Sequence, residues 1–275
     1  MAAPDAGKGN VFILGIGSGI GEALARLYIK NGYSVTGTYR HAGSVKELSS
    51  VSGVRLLKCD VSSRASVKRC LDAYKKSARP WNIFISCVGT MEPIGRFFDC
   101  DFDDWETSVA VNSLAQLRFL HGIYPFRHKR GVSHAVFFAG GGTNNPLPNY
   151  SAYCASKIML IKMCELLDNE NPDLNVFIVG PGWVRTRIHA QTLDSRSRAG
   201  GNYERTRKFL ASNEPGTDLR DIYDCINWGI AEGKPVAGGR NFSVVHDPWR
   251  GKVTALARRL RGDQDKFKLR RFKNE

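Results

Sequence analysis

A glycine-rich turn between an apolar run and an amphipathic stretch most constrains what this chain can fold into. The run 11-VFIL-14 has the length and composition of a buried strand, and it leads directly into 15-GIGSGIG-21. Glycines let a backbone approach a pyrophosphate closely, and the N-terminus of a following helix offers free N–H groups and a positive dipole end. The sequence therefore predicts a nucleotide-binding turn. Its assigned residues are Gly15, Gly19, Ile20 and Gly21.

Apolar runs and amphipathic stretches alternate along most of the chain. Strands are predicted at 11–14, 33–39, 54–57, 82–86, 134–138, 175–179 and 241–245, and helices at 22–30, 66–78, 103–124 and 151–168. This alternation is typical of βαβ units, which build a parallel sheet with helices on both faces. We therefore expect a doubly wound α/β fold of the Rossmann type with about seven strands. Residues 1–248 are predicted to form one domain with a polar insertion at about 187–220, and 249–275 a basic extension.

The residues after the second predicted strand bear on which dinucleotide would bind. An NAD-binding unit usually carries an acid about 20 residues beyond the glycine turn, where it meets the ribose 2′-hydroxyl, whereas an arginine suits a 2′-phosphate. The sequence there is 38-TYRHAG-43, which has no carboxylate and places Arg40 directly after the strand. This pattern predicts NADP(H). An exposed arginine at a strand end is the alternative that requires no ligand.

Half of the net charge of +14 is concentrated near the C-terminus, because residues 250–275 contain ten Lys or Arg and three acids. A basic terminus can contact nucleic acid, anionic lipid or an acidic protein, but it is more often a solvated helix or tail. We expect no nucleic-acid or membrane partner. The spacing of Leu256, Leu260, Phe267 and Phe272 is loosely helical and predicts packing on the domain or on another subunit.

Cysteine and histidine usage indicates neither a disulfide framework nor a metal site. The seven cysteines are scattered without a CxxC pair, and the six histidines do not cluster at metal-ligand spacing. Free thiols in a reducing compartment explain this pattern best. No run approaches the roughly 18 apolar residues of a membrane helix, and the start, MAAPDAGKGN, lacks an apolar signal core. The expectation is a cytoplasmic protein.

Several further motifs follow the glycine turn in a fixed order. They are Asp60-Val61, 86-SCVG-89, Asn112 within 110-AVNSLA-115, Tyr153 and Lys157 in a YxxxK arrangement, and 181-PGWVRT-186. Together they resemble the short-chain dehydrogenase/reductase family in its short, single-domain form, over residues 10–186 and again over 236–247. The chain departs from the family pattern at Leu14, where the family has threonine, and at Ser86-Cys87, where it has two asparagines.

The resemblance implies roles for the motif residues. It extends the cofactor-binding set to Asp60, Val61, Gly89, Tyr153, Lys157, Pro181, Val184 and Thr186. The pair at 60 and 61 would meet the adenine, and the loop 181–186 would cover the nicotinamide. Tyr153, Lys157 and Asn112 would be the catalytic residues, with Lys157 also holding the nicotinamide ribose and Asn112 holding a water in a proton path.

Tyr153 and Lys157 lie four residues apart in a predicted helix, so their side chains share one face. A nearby ammonium favours the phenolate and is expected to lower the phenol pKa from about 10. Tyr153 would then donate a proton to a carbonyl oxygen as hydride arrives from the nicotinamide, or accept one in the reverse reaction.

The family's active-site serine is missing from this chain. It is expected about thirteen residues before the tyrosine, where the sequence has Gly140 within 139-AGGG-142. Thr143, Asn144 or backbone N–H groups of the glycine run are the alternative donors. The loss of one such donor typically costs about 10²–10³ in rate, so the missing serine does not exclude activity.

The predicted insertion is rich in cations. Residues 184–207 contain Arg185, Arg187, His189, Arg196, Arg198, Arg205 and Arg207. Arginine forks suit phosphates and carboxylates, which predicts a polar or anionic, sugar-like substrate, while a flexible arginine-rich surface loop is equally compatible. The leading hypothesis is an NADP(H)-dependent oxidoreductase acting on CH–OH and C=O groups of a small molecule, as a homodimer or homotetramer. The alternative is a catalytically impaired nucleotide-binding scaffold or sensor subunit.

Overall fold

The computed structural model describes residues 8–76, 79–250 and 253–271. Its centre is one parallel sheet of seven strands in the order β3-β2-β1-β4-β5-β6-β7. The strands are β1 (Asn10–Leu14), β2 (Ser34–Tyr39), β3 (Val54–Lys58), β4 (Ile83–Ser86), β5 (Ser133–Phe138), β6 (Leu174–Gly180) and β7 (Asn241–Ser243). The predicted Rossmann-type doubly wound fold is therefore confirmed.

Helices connect the strands and cover the sheet. The α-helices are α1 (Gly19–Lys30), α2 (Arg64–Lys75), α3 (Phe102–Val109), α4 (Ala115–Ile123), α5 (Ser151–Glu170), α6 (Ile188–Asp194), α7 (Gly201–Ala211), α8 (Leu219–Glu232), α9 (Lys234–Ala237) and α10 (Val253–Gly262). The predicted insertion thus contains α6 and α7, which are separated by a short 3₁₀ segment, Arg196–Ala199.

The apolar strands are buried on both faces, which explains why they read as continuous hydrophobic runs. Val11 and Ile13 of β1 belong to a core cluster on one face of the sheet, and Phe12 belongs to the cluster on the other face. Successive strand side chains point to opposite faces, so an uninterrupted apolar run is what a sheet covered twice requires.

The strand order reverses between β1 and β4, which are neighbours in the sheet although two strands separate them in sequence. At this switch point the loop after β4 bonds back to β1, because Cys87 N donates to Leu14 O at 2.8 Å. Open parallel sheets bind ligands beyond the carboxyl ends of the strands at such a point. The fold therefore places the glycine turn and the loop 86–89 at one edge.

The predicted single helix at 103–124 is instead two α-helices joined by a π-helical turn, Ala110–Leu114. Two side chains compete for backbone carbonyls in this turn: Ser113 Oγ donates to Val109 O at 2.6 Å, and Gln116 Nε2 donates to Asn112 O at 2.6 Å. Such bonds divert carbonyls from the regular ladder and distort helices. A π-turn inside a helix frequently marks a functional site, and this one contains Asn112.

The C-terminal segment packs on the sheet-bearing part of the chain. Leu256 and Leu260 of α10 are buried in the same core cluster as β1, and Phe267 packs against it. Of the two sites predicted for these apolar side chains, the structure shows packing on the chain itself; Phe272 lies outside the described residues. The fully buried Arg240 anchors this segment, since its Nη2 donates to Leu260 O and Asp263 O at 2.7 and 2.8 Å.

Candidate functional site

The glycine turn brings the backbone of β1 and the start of α1 into contact. A Cβ on Gly21 would stand 2.0 Å from Gly15 O, so a side chain there would force the turn apart. Gly15 has φ +90°, a left-handed conformation that glycine adopts without strain. Ser18, Gly19 and Ile20 line a cleft, and no side chain of the described residues caps the first turn of α1. This helix end fits the phosphates of a dinucleotide.

Arg40 lies exposed at the same cleft, directly after β2. Its Nε donates to the neighbouring His41 Nε2 at 2.9 Å, and no carboxylate in the described ranges pairs with it. A free guanidinium at this position fits a 2′-phosphate. Asp60 and Val61 follow β3 at the same edge but lie outside the lining of the cleft. Hydrogen bonds from Ser62, helped by the charge of Arg40, lower the pKa of the Asp60 carboxyl.

Tyr153 and Lys157 lie on the first turns of α5 and line the same cleft. Both are buried, and Lys157 Nζ lies 5.7 Å from the centroid of the Tyr153 ring. Lys157 Nζ also donates to Phe138 O, the last residue of β5, at 2.9 Å. The bond fixes the ammonium at the carboxyl edge of the sheet.

Burial dominates the titration of these two groups. It raises the pKa of the Tyr153 phenol well above its ordinary value of 10, which is opposite in direction to the shift predicted from the sequence. Burial also lowers the pKa of Lys157 to about 8. Burial outweighs the predicted effect of the ammonium, whose Nζ lies 5.7 Å from the ring centroid. At neutral pH the phenol is protonated and is in the form that can donate a proton.

Asn112 occupies the π-turn beside Gly89 and is fully buried. Its Oδ1 accepts from Thr90 N at 2.9 Å, and its Nδ2 donates to Thr90 O at 2.8 Å. Gln191 of α6 continues this connection, because its Nε2 donates to Thr90 Oγ1 at 2.9 Å and its Oε1 accepts from Met91 N at 2.8 Å. Asn112 thus clamps the loop after β4, which in turn holds the insertion. Its role in a proton path stays a prediction.

The loop after β6 covers the glycine turn. Pro181, Val184 and Thr186 all line the cleft, as does Gly89 from the loop after β4. The loop after β6 touches the glycine turn, since a Cβ on Gly19 would stand 3.0 Å from Thr186 Cγ2. The predicted cofactor-binding residues, apart from Gly15, Gly21, Asp60 and Val61, therefore line one cleft of about 1010 Å³.

Some cations of the insertion are held by hydrogen bonds or ion pairs within the described residues, and others are not. Arg185 donates from its Nη groups and Nε to carbonyls at the end of α7, among them Leu210 O and Ser212 O, and so closes that helix. Arg207 pairs with Glu204. His189 is buried, its Nε2 lies 2.9 Å from Val184 O, and burial lowers its pKa. These three are not available as the anion-binding groups predicted from the sequence.

Arg187 and Arg205 differ from the other cations of the insertion. Both line the cleft, and neither makes an ion pair within the described part of the chain. The Arg205 guanidinium lies 5.1 Å from the ring centroid of Trp183, whose ring stacks on His189 at 5.3 Å. These aromatic rings were not predicted from the sequence, since Trp183 occupies a variable position of the loop motif. Tyr150 and Gln191 are further cleft residues that were not predicted.

A family model described as enoyl-(acyl carrier protein) reductase matches residues 15–209, well over half of the chain. The chain belongs to the short-chain dehydrogenase/reductase family. Proteins of this family are oxidoreductases that bind nicotinamide cofactors. The departures at 86–87 and at Gly140 therefore lie within a family member rather than in a different fold.

Individual relatives are distant. Glycine betaine reductase ATRR of Emericella nidulans is 29% identical over 192 residues, which is 67% of this chain but only 15% of that protein. Serine 3-dehydrogenase of Rhizobium radiobacter is 24% identical over 234 residues, covering 83% of this chain and 90% of that one. A solved actinorhodin polyketide ketoreductase with NADPH has a TM-score of 0.74 at 21% identity, covering 89% of this chain and 97% of that one. The last likeness shows the fold alone.

Other kinds of site find no support among the described residues. No group of three or more His, Cys, Asp or Glu side chains there is placed to hold a metal ion. No helix in the described ranges is long and apolar enough to cross a membrane. All seven cysteines are free thiols, and four of them are buried.

Proposed function

We propose that this protein is an NADP(H)-dependent oxidoreductase that interconverts a carbonyl group and a secondary alcohol. The observation that carries the proposal is the convergence of Tyr153, Lys157, Arg40 and the N-terminus of α1 on one cleft. A scaffold that only binds nucleotide has no chemical need for a buried phenol above a buried ammonium. The test is NADPH consumption across a panel of carbonyl compounds; binding of NADPH without any consumption would favour the scaffold or sensor.

Tyr153, Lys157 and Asn112 each have a distinct task in this proposal. Bound NADPH supplies the hydride. The protonated phenol of Tyr153 gives its proton to the substrate oxygen and, in the reverse direction, takes it back. Lys157 holds the ribose next to the nicotinamide and offers a positive charge that supports the phenolate once the proton has left. Asn112 holds the loop 88–91 in place through Thr90.

Arg40 is proposed to select NADPH over NADH. In the Arg40→Ala variant we expect the dissociation constant of NADPH to rise about 10- to 100-fold, the range for losing charge-assisted bonds to a phosphate. The affinity for NADH is expected to change about twofold or less, because NADH has no 2′-phosphate for the arginine to meet. Both constants are measured by quenching of protein fluorescence.

The matched control for this experiment is Arg130→Ala. Arg130 is also exposed but precedes β5, at the opposite edge of the sheet. Arg130→Ala lowers the net charge of the protein by one, as Arg40→Ala does, so it reports the general effect of removing a positive charge. Equal losses of affinity for NADPH and NADH in Arg40→Ala would contradict the assignment of the 2′-phosphate.

The substrate is proposed to carry an anionic group that Arg205 binds. Arg205 is a free cation held over Trp183 at the cleft, and Arg187 adds a second positive charge. Serine, the substrate in the name of one relative, carries a carboxylate, which agrees with this choice. A short hydroxy acid or its oxo acid therefore fits the free cations of the cleft, and a sugar phosphate matches the same charge.

Removing Arg205 is expected to affect charged substrates selectively. In Arg205→Ala, KM for an oxo acid should rise about tenfold, while KM for its neutral methyl ester changes about twofold or less. Arg207→Ala, two positions along α7, is the control because Arg207 pairs with Glu204 on the surface. An equal effect of Arg205→Ala on acid and ester would exclude Arg205 as the anion contact.

Assembly and location remain proposals as well. The family resemblance favours a homodimer or homotetramer acting on a small molecule, and the scattered cysteines favour a reducing compartment such as the cytoplasm. Sedimentation of the purified protein would establish the number of subunits.

A further inference from the structure

The position of Tyr153 depends on the absence of a side chain at residue 140. A Cβ built on Gly140 would stand 2.2 Å from Tyr153 Oη, 2.5 Å from Cζ and 2.6 Å from Cε1. Each distance is far shorter than a van der Waals contact, and the nearest atom is the hydroxyl itself. The phenol therefore fills the volume that the side chain of a serine at this position would take.

We infer that Gly140 is the positioning residue for Tyr153, and that the chain has exchanged the family's serine side chain for a deeper seat of the tyrosine hydroxyl. The inference rests on the proposed function, since it concerns the proton donor of that reaction. Gly140 does not touch the substrate in this account. It acts only by leaving room for the phenol against the loop after β5.

Neighbouring side chains limit where the ring can move, and its open side faces the cleft. Tyr153 is only 6% exposed and belongs to a small buried cluster with Ile94, Tyr150 and Ala199. Its backbone is held in α5, where Ser156 Oγ donates to Tyr153 O at 2.7 Å. A side chain at 140 would therefore push the phenol from this position toward the cleft that Tyr153 lines.

The same loop is fitted to α5 at a second point. A Cβ on Gly142 would stand 2.3 Å from Cys154 Sγ, so residue 142 also leaves room for a helix side chain. Gly141 between them differs, because its Cβ would meet only Leu147 Cδ2 at 3.5 Å, an ordinary contact, and its φ lies outside the left-handed region. The loop thus lies flat on the first turn of α5 through residues 140 and 142.

This geometry predicts what happens when the family's serine is restored at position 140. Gly140→Ser returns the family's hydroxyl, and if the tyrosine had the family's position the change would raise turnover. The structure predicts the opposite result, because the serine Cβ displaces the phenol before its hydroxyl can contribute anything. Misplacing a reacting group by about 1 Å costs on the order of 10²-fold in rate.

The experiment compares Gly140→Ala, Gly140→Ser and Gly141→Ala with the unsubstituted protein. We expect kcat to fall about 100-fold in both variants at 140, and about twofold or less in Gly141→Ala, where the added methyl group meets no close neighbour. NADPH affinity should be retained in all three. Near-normal or increased kcat in either variant at 140, or an equal loss in Gly141→Ala, would overturn the inference.

A second measurement keeps the inference separate from the proposed function. The ultraviolet absorbance of the Tyr153 phenolate is obtained by subtracting the titration of each protein's Tyr153→Phe counterpart. Burial holds the pKa of this phenol above its usual range, and a displaced phenol should titrate nearer its free value of about 10. A pKa that falls in Gly140→Ala but not in Gly141→Ala supports the inference even if no carbonyl compound is reduced. An unchanged pKa in both would contradict it.

Poor folding of the variants at 140 is also informative. If the clash with the ring is the cause, Gly140→Ala should lower Tm less in a Tyr153→Ala background than in the unsubstituted protein, a coupling that independent sites do not show. Overpacking of this kind is expected to lower Tm by about 4 °C or more. Equal losses of Tm in the presence and absence of the tyrosine ring would count against the inference.

Discussion

Tyr153→Phe should lower kcat by about 10²–10⁴-fold, the usual contribution of a positioned general acid or base. The substitution removes only the hydroxyl, because the ring of phenylalanine keeps the packing with Ile94, Tyr150 and Ala199. The affinity for NADPH, measured by fluorescence quenching, should therefore stay within about twofold of the original protein. Turnover is measured as NADPH consumption at saturating substrate.

Tyr124→Phe is the matched control for this change. The Tyr124 hydroxyl is within hydrogen-bond distance of two acceptors, Asn171 Oδ1 at 3.2 Å and Asp173 Oδ1 at 2.9 Å, and it lies outside the lining of the cleft. Loss of these bonds is expected to affect stability modestly and kcat hardly at all. A Tyr153→Phe protein that turns over as fast as the Tyr124→Phe protein would remove Tyr153 from the chemistry.

Arg240→Ala should lower the free energy of unfolding by about 3 kcal/mol or more, measured by urea denaturation. The guanidinium is fully buried and donates five hydrogen bonds, all to backbone carbonyls, at Pro235, Val236, Leu260, Asp263 and Lys266. Removal leaves these buried acceptors without their donor, which costs more than the bonds themselves contribute. The loss should also free α10 and the segment after it from the rest of the chain.

Two further variants distinguish this account from a general effect of charge. Arg258→Ala removes an exposed arginine of α10 and should change the free energy of unfolding by about 0.5 kcal/mol or less. Arg240→Lys keeps the charge, but a single ammonium has three donors and cannot reproduce the planar fork. It should recover only part of the stability. Equal stabilities of the Ala variants at 240 and 258 would show that Arg240 does not anchor the C-terminal segment.

The strands were predictable because their physical requirement is simple. The centre of a strand covered on both faces must be apolar, and 11-VFIL-14 and 83-IFI-85 satisfy this without reference to distant residues. Helix boundaries depend more on local competition for carbonyls. The π-turn at Ala110–Leu114 arises from side-chain bonds by Ser113 and Gln116, which a hydrophobic pattern does not reveal.

The site divides in a similar way. Tyr153, Lys157 and Arg40 were predictable because their motif positions follow strand ends and helix starts. The predicted lowering of the Tyr153 pKa by the ammonium is not seen in the protein alone, where burial, a property of the packed structure, raises it. The cations of the insertion were also overcounted, because a sequence does not show that Arg185 closes a helix or that His189 is buried.

The consequence of the missing serine is apparent only when the sequence and the structure are considered together. The sequence identifies Gly140 as the departure, and it leaves open whether activity was lost or another group took over. The short distances from a Cβ added at residue 140 to the phenol show that Tyr153 occupies the space that a serine side chain would need. In our proposal the departure changes the position of the Tyr153 hydroxyl rather than simply removing a second donor.

The most direct test of the account is the fate of the transferred hydrogen. NADPH carrying deuterium at the reactive nicotinamide carbon is incubated with the protein and with oxo acids or neutral carbonyl compounds, and the products are analysed by mass spectrometry. The account predicts an alcohol product that carries the deuterium on its carbinol carbon, at a rate that falls with Tyr153→Phe. NADPH that binds with normal affinity but passes its label to none of these compounds would contradict it.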